Sequence, residues 1–328
     1  MARFWFALAL CLGFGAALAE PAAPAAAQSY PAARPVKIIV PTPAGGPVDV
    51  MARLVANHLS PRLGQSFVVD NRPGAGNTIG SKEAAVADPD GYTLLYSSAS
   101  GLVLAPMLQK NAGYDPITSY DPIALVAASS NILVVHPGVS AKSVQELVAH
   151  AKANPGKVNF SSGGIGVLPH LIGEMFKARA GIDVVHVPYR GGGPSINDVV
   201  AGQIDFTFEG TSVLLPLIQA GKLRALAVTS PNRVRELPDM PTMIEIGFPG
   251  FSSTSWTGLL APARTPADVI AKLNREINET VQSPDFKAAL EKLSSEPLGG
   301  TPQDFSSLIK ADIARWQPIV NTLNLKAE

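Results

Sequence analysis

The chain has 328 residues, of which 46% are hydrophobic and 16% charged, a composition typical of a globular protein. Its length suits two domains of ordinary size. Lysine plus arginine equals aspartate plus glutamate at 26 each, and no basic stripe is visible, so we expect no nucleic-acid partner.

The first 27 residues have the pattern of a secretory signal peptide. Arg3 precedes an apolar run from Phe4 to Leu18, with a small-residue cleavage site at Ala17–Ala19. A second candidate site follows Ala27. The run is shorter than the roughly 20 apolar residues that a membrane span needs, which disfavours an anchor. We therefore predict cleavage after residue 27, or after residue 19, and an exported, soluble chain.

Short apolar runs then alternate with helical patterns. Ten runs predict buried strands, at 36–40, 67–70, 92–98, 123–128, 131–136, 158–162, 183–189, 204–209, 224–230 and 256–262. Between many of them, apolar residues recur three or four positions apart, as in helices. Strands separated by helices predict an α/β architecture with largely parallel sheets.

Four helix starts carry capping patterns. Ser143 and Glu146 are predicted to form a capping box. The segments "TPAD" (265–268), "SPDF" (283–286) and "TPQD" (301–304) place Ser or Thr at the cap, Pro at the first helical position and an acid in the first turn.

No Gly/Ser linker divides the chain into halves. The segments 134–143 and 241–251 are the best candidates for crossings between two lobes. In that case residues 135–249 form one lobe, while 35–134 and 250–328 combine as the other. Such lobes enclose a cleft, and open α/β sheets bind ligands at strand carboxyl ends that face a cleft.

The first such junction is "VPTPAGGPVDV" (40–50), between a strand and a helix. Glycines at 45 and 46 allow close backbone approach, and Pro47 fits the first helical position. A helix start presents unpaired N–H groups, so this is either an anion site or a structural turn. A Walker loop is excluded because its Gly-Lys-Ser/Thr ending is absent. Asp49 is expected to favour the first helical turn.

A second glycine-rich stretch, "RPGAGNTIG" (72–80), is one residue too long for a dinucleotide-binding fingerprint. No acidic residue follows about 20 positions later in the way that fingerprint requires. We predict a turn that leads into a helix at Asn77 or Thr78.

Two further junctions follow the pattern of the first. In "FSSGGIGVLPHL" (160–171), His170 either lines the cleft or has a packing role. In "HVPYRGGGPS" (186–195), Tyr189 and Arg190 are hydrogen-bond donors, and Arg190 either meets a carboxylate or is a solvated loop charge.

The case for an enzyme is poor. The only cysteine, Cys11, lies in the signal peptide, which excludes thiolate chemistry and Cys-based metal sites in the mature chain. The histidines at 58, 136, 150, 170 and 186 have no metal-binding spacing, and no serine lies in a G-x-S-x-G elbow. We expect no catalytic residue, no metal and no cofactor.

Many segments in order along the chain resemble the Bug family of periplasmic receptors that serve tripartite tricarboxylate transporters. The resemblance rests on "VPTPAGGPVDVMARLVANHL", "LGQSFVVDNRPGAGNTIG", "DPDGYTLLY", "AHAKANPGKVNFSS", "HVPYRGGGPSINDVVAGQID", "GKLRALAVTS", "PDMPTMIEIG" and "TSWTGLLAPARTP". It implies a two-lobed periplasmic binding protein fold of type II-like architecture, each lobe a sheet flanked by helices. It also implies a monomer that closes on a small organic carboxylate and docks on large and small permease membrane subunits.

The resemblance implies a site at the first-lobe loop, the second-lobe loop, the end of "YTLLYSS" and the turn after residue 188. The ligand-binding residues that it implies are Thr42, Ala44, Gly45, Gly46, Ser97, Ser98, Gly164, Gly166, Val167, His170, Tyr189 and Arg190.

Two residues depart from the family pattern. Thr42 replaces a residue that is typically Phe, and Val167 replaces a Ser or Thr. The second change removes a donor, and an unpaired buried carboxylate oxygen costs on the order of 1–3 kcal/mol. We therefore hypothesise a ligand unlike citrate, with one carboxylate at the first lobe and a longer or less polar body, as in an aromatic or longer aliphatic acid. The alternatives are a secreted hydrolase or isomerase that uses the same cleft, and a receptor for a signalling partner.

Overall fold

The computed structural model describes residues 30–109, 111–189, 191–323 and 325, so the predicted signal peptide lies outside the described residues. Within them the strands are β1 (Val36–Val40), β2 (Phe67–Asn71), β3 (Thr93–Ser98), β4 (Tyr120–Val135), β5 (Asn159–Ser162), β6 (Val185–Pro188), β7 (Phe206–Gly210), β8 (Arg224–Val228), β9 (Thr254–Pro262) and β10 (Glu296–Gly299). The helices are α1 (Pro47–Leu63), α2 (Thr78–Ala85), α3 (Ala105–Leu108), α4 (Val144–Ala153), α5 (Leu168–Ala180), α6 (Gly192–Val200), α7 (Thr211–Gln219), α8 (Ala267–Gln282), α9 (Pro284–Lys292) and α10 (Pro302–Thr322).

The strands follow the order β2-β1-β3-β9-β4-β7-β5-β6, and β8 and β10 also pair with β4. Residues 120–130 of β4 pair with β9, whereas residues 131–135 pair with β7 and β8. We call β1, β2, β3, β9, β10 and the first part of β4 the first lobe, and β5 to β8 with the rest of β4 the second lobe. The lobe boundaries predicted after residues 134 and 249 stay a prediction.

The prediction of largely parallel sheets is wrong. β1 is parallel to β2 and β3, and β5 is parallel to β6 and β7, but β3–β9 and all four pairings of β4 are antiparallel. The two runs predicted at 123–128 and 131–136 are one strand, because the polar residues 129–131 between them continue the ladder to β9 and β7. The prediction of a turn leading into a helix at Thr78 is confirmed.

Helices cover the sheet and share its core. In the first lobe, α1 and α8 bury Val55, Leu59 and Ile277 against the strands. The second lobe has a phenylalanine cluster, in which Phe176 of α5 packs edge-on against Phe206. Helix α10 contacts both β4 and α5, so it holds the two lobes together. None of the helices in the described ranges has the length and apolar character that a membrane crossing requires.

Two of the four predicted caps are confirmed. The Ser143 hydroxyl accepts the amide of Glu146 at 3.2 Å, but the predicted capping box is incomplete, because the Glu146 carboxylate accepts the Lys142 amide at 2.7 Å. At the start of α10, Thr301 and Asp304 form a full capping box, in which each side chain accepts the other's backbone amide.

The other two segments behave differently. The cap predicted at Thr265 is wrong, because α8 begins at Ala267 and the Thr265 hydroxyl donates to the Pro262 carbonyl at 2.7 Å. Ser283 does precede α9, but its hydroxyl donates backwards to the Thr280 carbonyl instead of accepting a helix amide.

Two helical glycines give a matched test of core packing. A Cβ on Gly173 of α5 would lie 2.1 Å from a ring carbon of Phe160, whereas a Cβ on Gly193 of α6 would meet nothing within 4 Å. We expect Gly173→Ala to lower the free energy of unfolding by about 1–3 kcal/mol through overpacking. Gly193→Ala should raise it by a few tenths to about 1 kcal/mol, since alanine favours helix. Urea denaturation measures both changes. If Gly173→Ala left the free energy of unfolding unchanged, α5 and β5 would not pack this closely.

Candidate ligand-binding cleft

A cavity of about 220 Å³ lies between the lobes. Its first-lobe walls are the start of α1, the residues after β3, and the adjoining parts of β4 and β9, and Leu168 at the start of α5 closes it from the second lobe. A larger groove of about 620 Å³ lies between α8 and the start of α10. Its lining residues include no predicted site residue and none from the strands of the second lobe, so closure of the lobes could not bury a ligand there.

The loop before α1 is held by a buried carboxylate. Asp49 is 2% exposed, and its Oδ2 accepts the Gly45 amide at 2.8 Å. The side-chain amide of Asn71 donates to Asp49 Oδ1 at 2.9 Å and to the Thr42 carbonyl at 3.0 Å. Arg53 also pairs with the Asp49 carboxylate. Gly45 has φ +82°, a backbone conformation that favours glycine. Asp49 thus shapes the loop from behind.

The charge state of Asp49 follows from these contacts. Burial alone raises the pKa of the carboxyl. Hydrogen bonds from Arg53, the Gly45 amide and Asn71 outweigh burial, and the pKa falls below its ordinary value. Asp49 is therefore a fixed anion that the loop itself neutralises.

The amides that remain available to a ligand lie in the first turn of α1. The Gly45 amide is taken by Asp49, and the Gly46 amide makes a long 3.4 Å contact with the Pro43 carbonyl. The amides of Val48 and Asp49 have no acceptor among the described residues, as expected for the first turn of a helix. Val48 also lines the cavity. A helix start with free amides favours an anion.

Two hydroxyls near this loop are buried without partners. The Thr42 Oγ1 and Ser97 Oγ atoms accept and donate no hydrogen bond within the described residues. Such groups are rare in proteins and call for an explanation. Ser97 and Ser98, both predicted to bind the ligand, differ in position. Ser98 lines the cavity, whereas the Ser97 hydroxyl oxygen lies against Gly101, 2.9 Å from where a Cβ on that glycine would be.

In the second lobe, two stacked histidines hold the glycine loop. His170 is 4% exposed, and its Nδ1 accepts the Gly166 amide at 3.0 Å. Its ring lies 3.9 Å from the His186 ring with an interplanar angle of 17°. His186 Nε2 is 2.8 Å from Ser162 Oγ, which in turn donates to the Gly164 carbonyl. His170 therefore packs beneath the loop and does not line the cavity.

Both imidazoles are neutral at physiological pH. Burial lowers the pKa of His170 to about 4. Burial, reinforced by the neighbouring His170 and Lys177, lowers the pKa of His186 to about 3. Because both rings are buried, water could not solvate the charge of a proton on either of them. A protonated Nδ1 on His170 could also no longer accept the Gly166 amide.

The remaining predicted residues lie around this loop. Val167 is the residue that precedes α5, and no side chain caps that helix. A Cβ on Gly166 would lie 2.5 Å from Leu108, so the glycine loop touches α3. The Tyr189 hydroxyl donates to Asp198, a contact that raises the Tyr189 pKa to about 12. Arg190 lies outside the described residues.

Several cavity residues were missed by sequence reasoning. Ser129 of β4 and Ser255 to Thr257 of β9 line the cavity. The Trp256 indole N–H donates to the buried carboxylate of Asp312 in α10 at 2.7 Å. The signal was present as two polar runs: "SSN" (129–131) lies between two apolar runs, and "SSTS" (252–255) comes just before the apolar run of β9. Among residues 30–109, 111–189, 191–323 and 325, no group of three or more His, Cys, Asp or Glu side chains could hold a metal ion.

The position of Val167 leads to a stability prediction. Threonine caps helices far better than valine, so Val167→Thr should raise the free energy of unfolding by about 0.5–1 kcal/mol. Val213→Thr, at an exposed position inside α7, is the matched control and should give no gain. Thermal or urea unfolding of the apo protein measures both, and equal effects of the two substitutions would contradict the capping geometry.

The histidine pair leads to a pH prediction. An unfolded histidine binds a proton near pH 6.5, whereas the folded protein resists protonation of His186 until about pH 3 and of His170 until about pH 4. The unfolded state therefore binds more protons in this window, and the stability present above pH ~6.5 is lost as the pH falls from there towards ~4. In His186→Gln the unfolded state should take up about one proton fewer, so the free energy of unfolding should fall less steeply as the pH is lowered. Urea denaturation across that pH range measures this. Parallel curves for the two proteins would refute the buried neutral pair.

Comparisons with known proteins agree with this architecture. A family model described as the tripartite tricarboxylate transporter family receptor matches residues 51–325. BugT of Bordetella pertussis is 38% identical over 316 residues, which cover 96% of this chain and 97% of that protein.

Solved structures show the same fold. A Rhodopseudomonas palustris protein with adipate has 33% identity and a TM-score of 0.76, covering 90% of this chain and 99% of that one. MatC from the same organism, with bound malate, has 29% identity and a TM-score of 0.72, covering 88% and 99%. The predicted periplasmic-binding-protein fold and the resemblance to Bug proteins are confirmed. The chain belongs to the tripartite tricarboxylate transporter receptor family.

Proposed function

We propose that this protein captures a small organic carboxylate outside the cytoplasm and delivers it to the large and small membrane subunits of a tripartite tricarboxylate transporter, without chemical change. One observation carries the proposal: Val48, whose amide in the first turn of α1 has no acceptor among the described residues, lines a cavity between two lobes, and Thr42 in the loop before α1 has a buried hydroxyl without a partner. Amides and a hydroxyl are the donors that a carboxylate needs.

The relatives support the same ligand class. Two neighbours of the same fold were solved with adipate and with malate, which are both small carboxylates. We propose that the protein acts as a monomer in the periplasm, after loss of residues 1–27 or 1–19, with lobes at 35–134 plus 250–328 and at 135–249. Closure of these lobes would bury the ligand, and the permease would bind the closed form.

The two halves of the cleft differ in chemistry. The first lobe offers amides and hydroxyls, whereas Leu168 is the residue that the second lobe contributes to the cavity wall. We propose that one carboxylate of the ligand lies at Thr42 and the α1 start, with a longer or less polar body extending towards Val167 and Leu168. Citrate would place charged groups against that apolar wall without donors, at a cost in free energy.

One observation favours the alternative of a hydrolase in the same cleft. Ser162 Oγ lies 2.8 Å from His186 Nε2, the contact that an activated serine nucleophile would make. Ser162 is fully buried, however, and its hydroxyl also donates to the Gly164 carbonyl. A hydroxyl that no substrate can reach is suited to holding the loop, and capture without turnover remains the better explanation.

The test exploits two threonines with the same buried, unpartnered hydroxyl. Thr42 lies in the cleft loop, and Thr280 lies in α8, far from the cleft. Neither Thr42→Val nor Thr280→Val should lower the stability of the apo protein, because neither hydroxyl has a partner to lose. Thr42→Val should weaken carboxylate binding by about tenfold or more, since a hydrogen bond to a charged group is lost. Thr280→Val should not affect binding.

Differential scanning fluorimetry and calorimetry with a panel of mono-, di- and tricarboxylates, together with product analysis by mass spectrometry, measure these effects. Equal affinities in the two variants would remove Thr42 from the site. Strongest stabilisation by citrate or malate would contradict the proposed ligand shape. Turnover of any bound acid would favour the enzyme.

A further inference from the structure

A second acidic side chain lies at the carboxyl end of a strand in the second lobe. Glu209 is next to last in β7, whose carboxyl end lies at the same edge of the sheet as those of β5 and β6. The loops that follow β5 and β6 contain the predicted site residues of this lobe. The carboxyl ends of parallel strands are where open α/β sheets bind ligands.

The side chain of Glu209 points to the α6 face of the sheet. Thr207, two residues earlier and therefore on the same face, bonds to Ser161, whose hydroxyl meets Ser195 of α6. A Cβ on Gly192, the first residue of α6, would lie 3.4 Å from Glu209 Oε1 and 3.7 Å from Oε2. The carboxylate therefore lies against the start of α6, the position that an anionic ligand group would otherwise occupy.

The start of α6 is continuous with the glycine loop of the cleft. The Gly191 amide donates to the Gly163 carbonyl at 2.9 Å, and a Cβ on Gly163 would lie 2.9 Å from the Gly192 nitrogen. Five residues after Gly163 comes Leu168, which lines the cavity. Glu209, α6 and the glycine loop thus form one surface at the end of the second lobe.

No cationic side chain among the described residues neutralises Glu209. No described lysine or arginine forms an ion pair with it, in contrast to Asp49 in the first lobe, which pairs with Arg53. Burial raises the pKa of Glu209 to about 7, although the Gly210 amide partly offsets this. A buried carboxylate without a cationic partner is stabilised by additional hydrogen-bond donors, so a donor on a ligand would stabilise the ionised form.

We infer that Glu209 is a specificity-determining residue, which excludes a second carboxylate from the second lobe and accepts a hydrogen bond from an N–H group at the far end of the ligand. This inference rests on the proposed function, in which the first lobe binds the one carboxylate. The ligand class that follows is a monocarboxylic acid with an amide or ammonium group at its other end.

The test compares acids of equal length. Adipate, adipamate, 6-aminohexanoate and hexanoate share a six-carbon chain and differ in the far group, and the same series is made with four to eight carbons. Calorimetry at pH ~8.5 keeps Glu209 ionised. The proteins are the wild type, Glu209→Gln, and Asp239→Asn, which removes the same charge at an exposed position of the second lobe.

In the wild type, the amide and the amine should bind about tenfold or more tightly than the diacid, because like charges brought together are repelled. Both should also bind more tightly than hexanoate, which offers Glu209 no donor. In Glu209→Gln the diacid should gain about tenfold and the amine should weaken. Asp239→Asn should behave as the wild type.

A diacid that binds the wild type as tightly as the amide would overturn the inference, and this is the result expected if a cation outside the described residues neutralises Glu209. An unchanged preference in Glu209→Gln, or hexanoate binding as tightly as the amide, would also overturn it. Those results leave the proposed function standing. If no acid of any length binds, the proposed carboxylate function itself is refuted.

Discussion

The long strand β4 is the constraint on which the rest of the structure depends. One continuous strand of 16 residues belongs to the sheets of both lobes, and its pairing changes between Ser130 and Asn131. β9 runs beside it up to the same point, because Thr254 pairs with Ser130. Relative motion of the lobes would therefore bend these two adjacent strands at this point, and α10 also links the lobes. A few residues at the ends of such elements are enough to act as a hinge.

This crossing is more polar than the strands on either side. Asn131 and Ser253 each bury a side-chain polar atom that has no partner within the described residues. The Thr229 hydroxyl donates to the Ser253 carbonyl at 2.6 Å and accepts the Asn131 amide. Directional bonds of this kind hold the backbone where the pairing changes, but they leave some polar groups unsatisfied. Buried polar groups without partners make the arrangement at this crossing less stable than a fully paired one.

In the proposed ligand site the available donors are neutral, and the charge of Asp49 lies behind them. Asp49 is bound by Arg53 and by the loop that it shapes, so its charge is neutralised before a ligand arrives. The free amides of α1 then act as fixed dipoles that require no reorganisation when an anion binds. In the second lobe the stacked histidines play the structural role, because a neutral His170 accepts the Gly166 amide and thereby fixes the loop. The two lobes thus use an ionised and an un-ionised group for the same task.

The sequence by itself determined the α/β class, nearly all of the strands, the positions of the glycine loops and the start of α10 at Thr301. These features depend on local patterns of apolar residues, glycine and capping groups, which act over a few neighbouring positions. Only the tertiary structure decided that two apolar runs form the single strand β4, that its partners are antiparallel, and that the Gly45 amide belongs to Asp49. It also decided that His170 packs beneath its loop and that Glu209 lies against α6. The strand pairings and the contact of Glu209 with Gly192 join groups distant in sequence, and pairings of that kind leave no trace in local periodicity. The Gly45–Asp49 and Gly166–His170 bonds span only four residues, but Asn71 and His186, which contact Asp49 and His170, come from elsewhere in the chain.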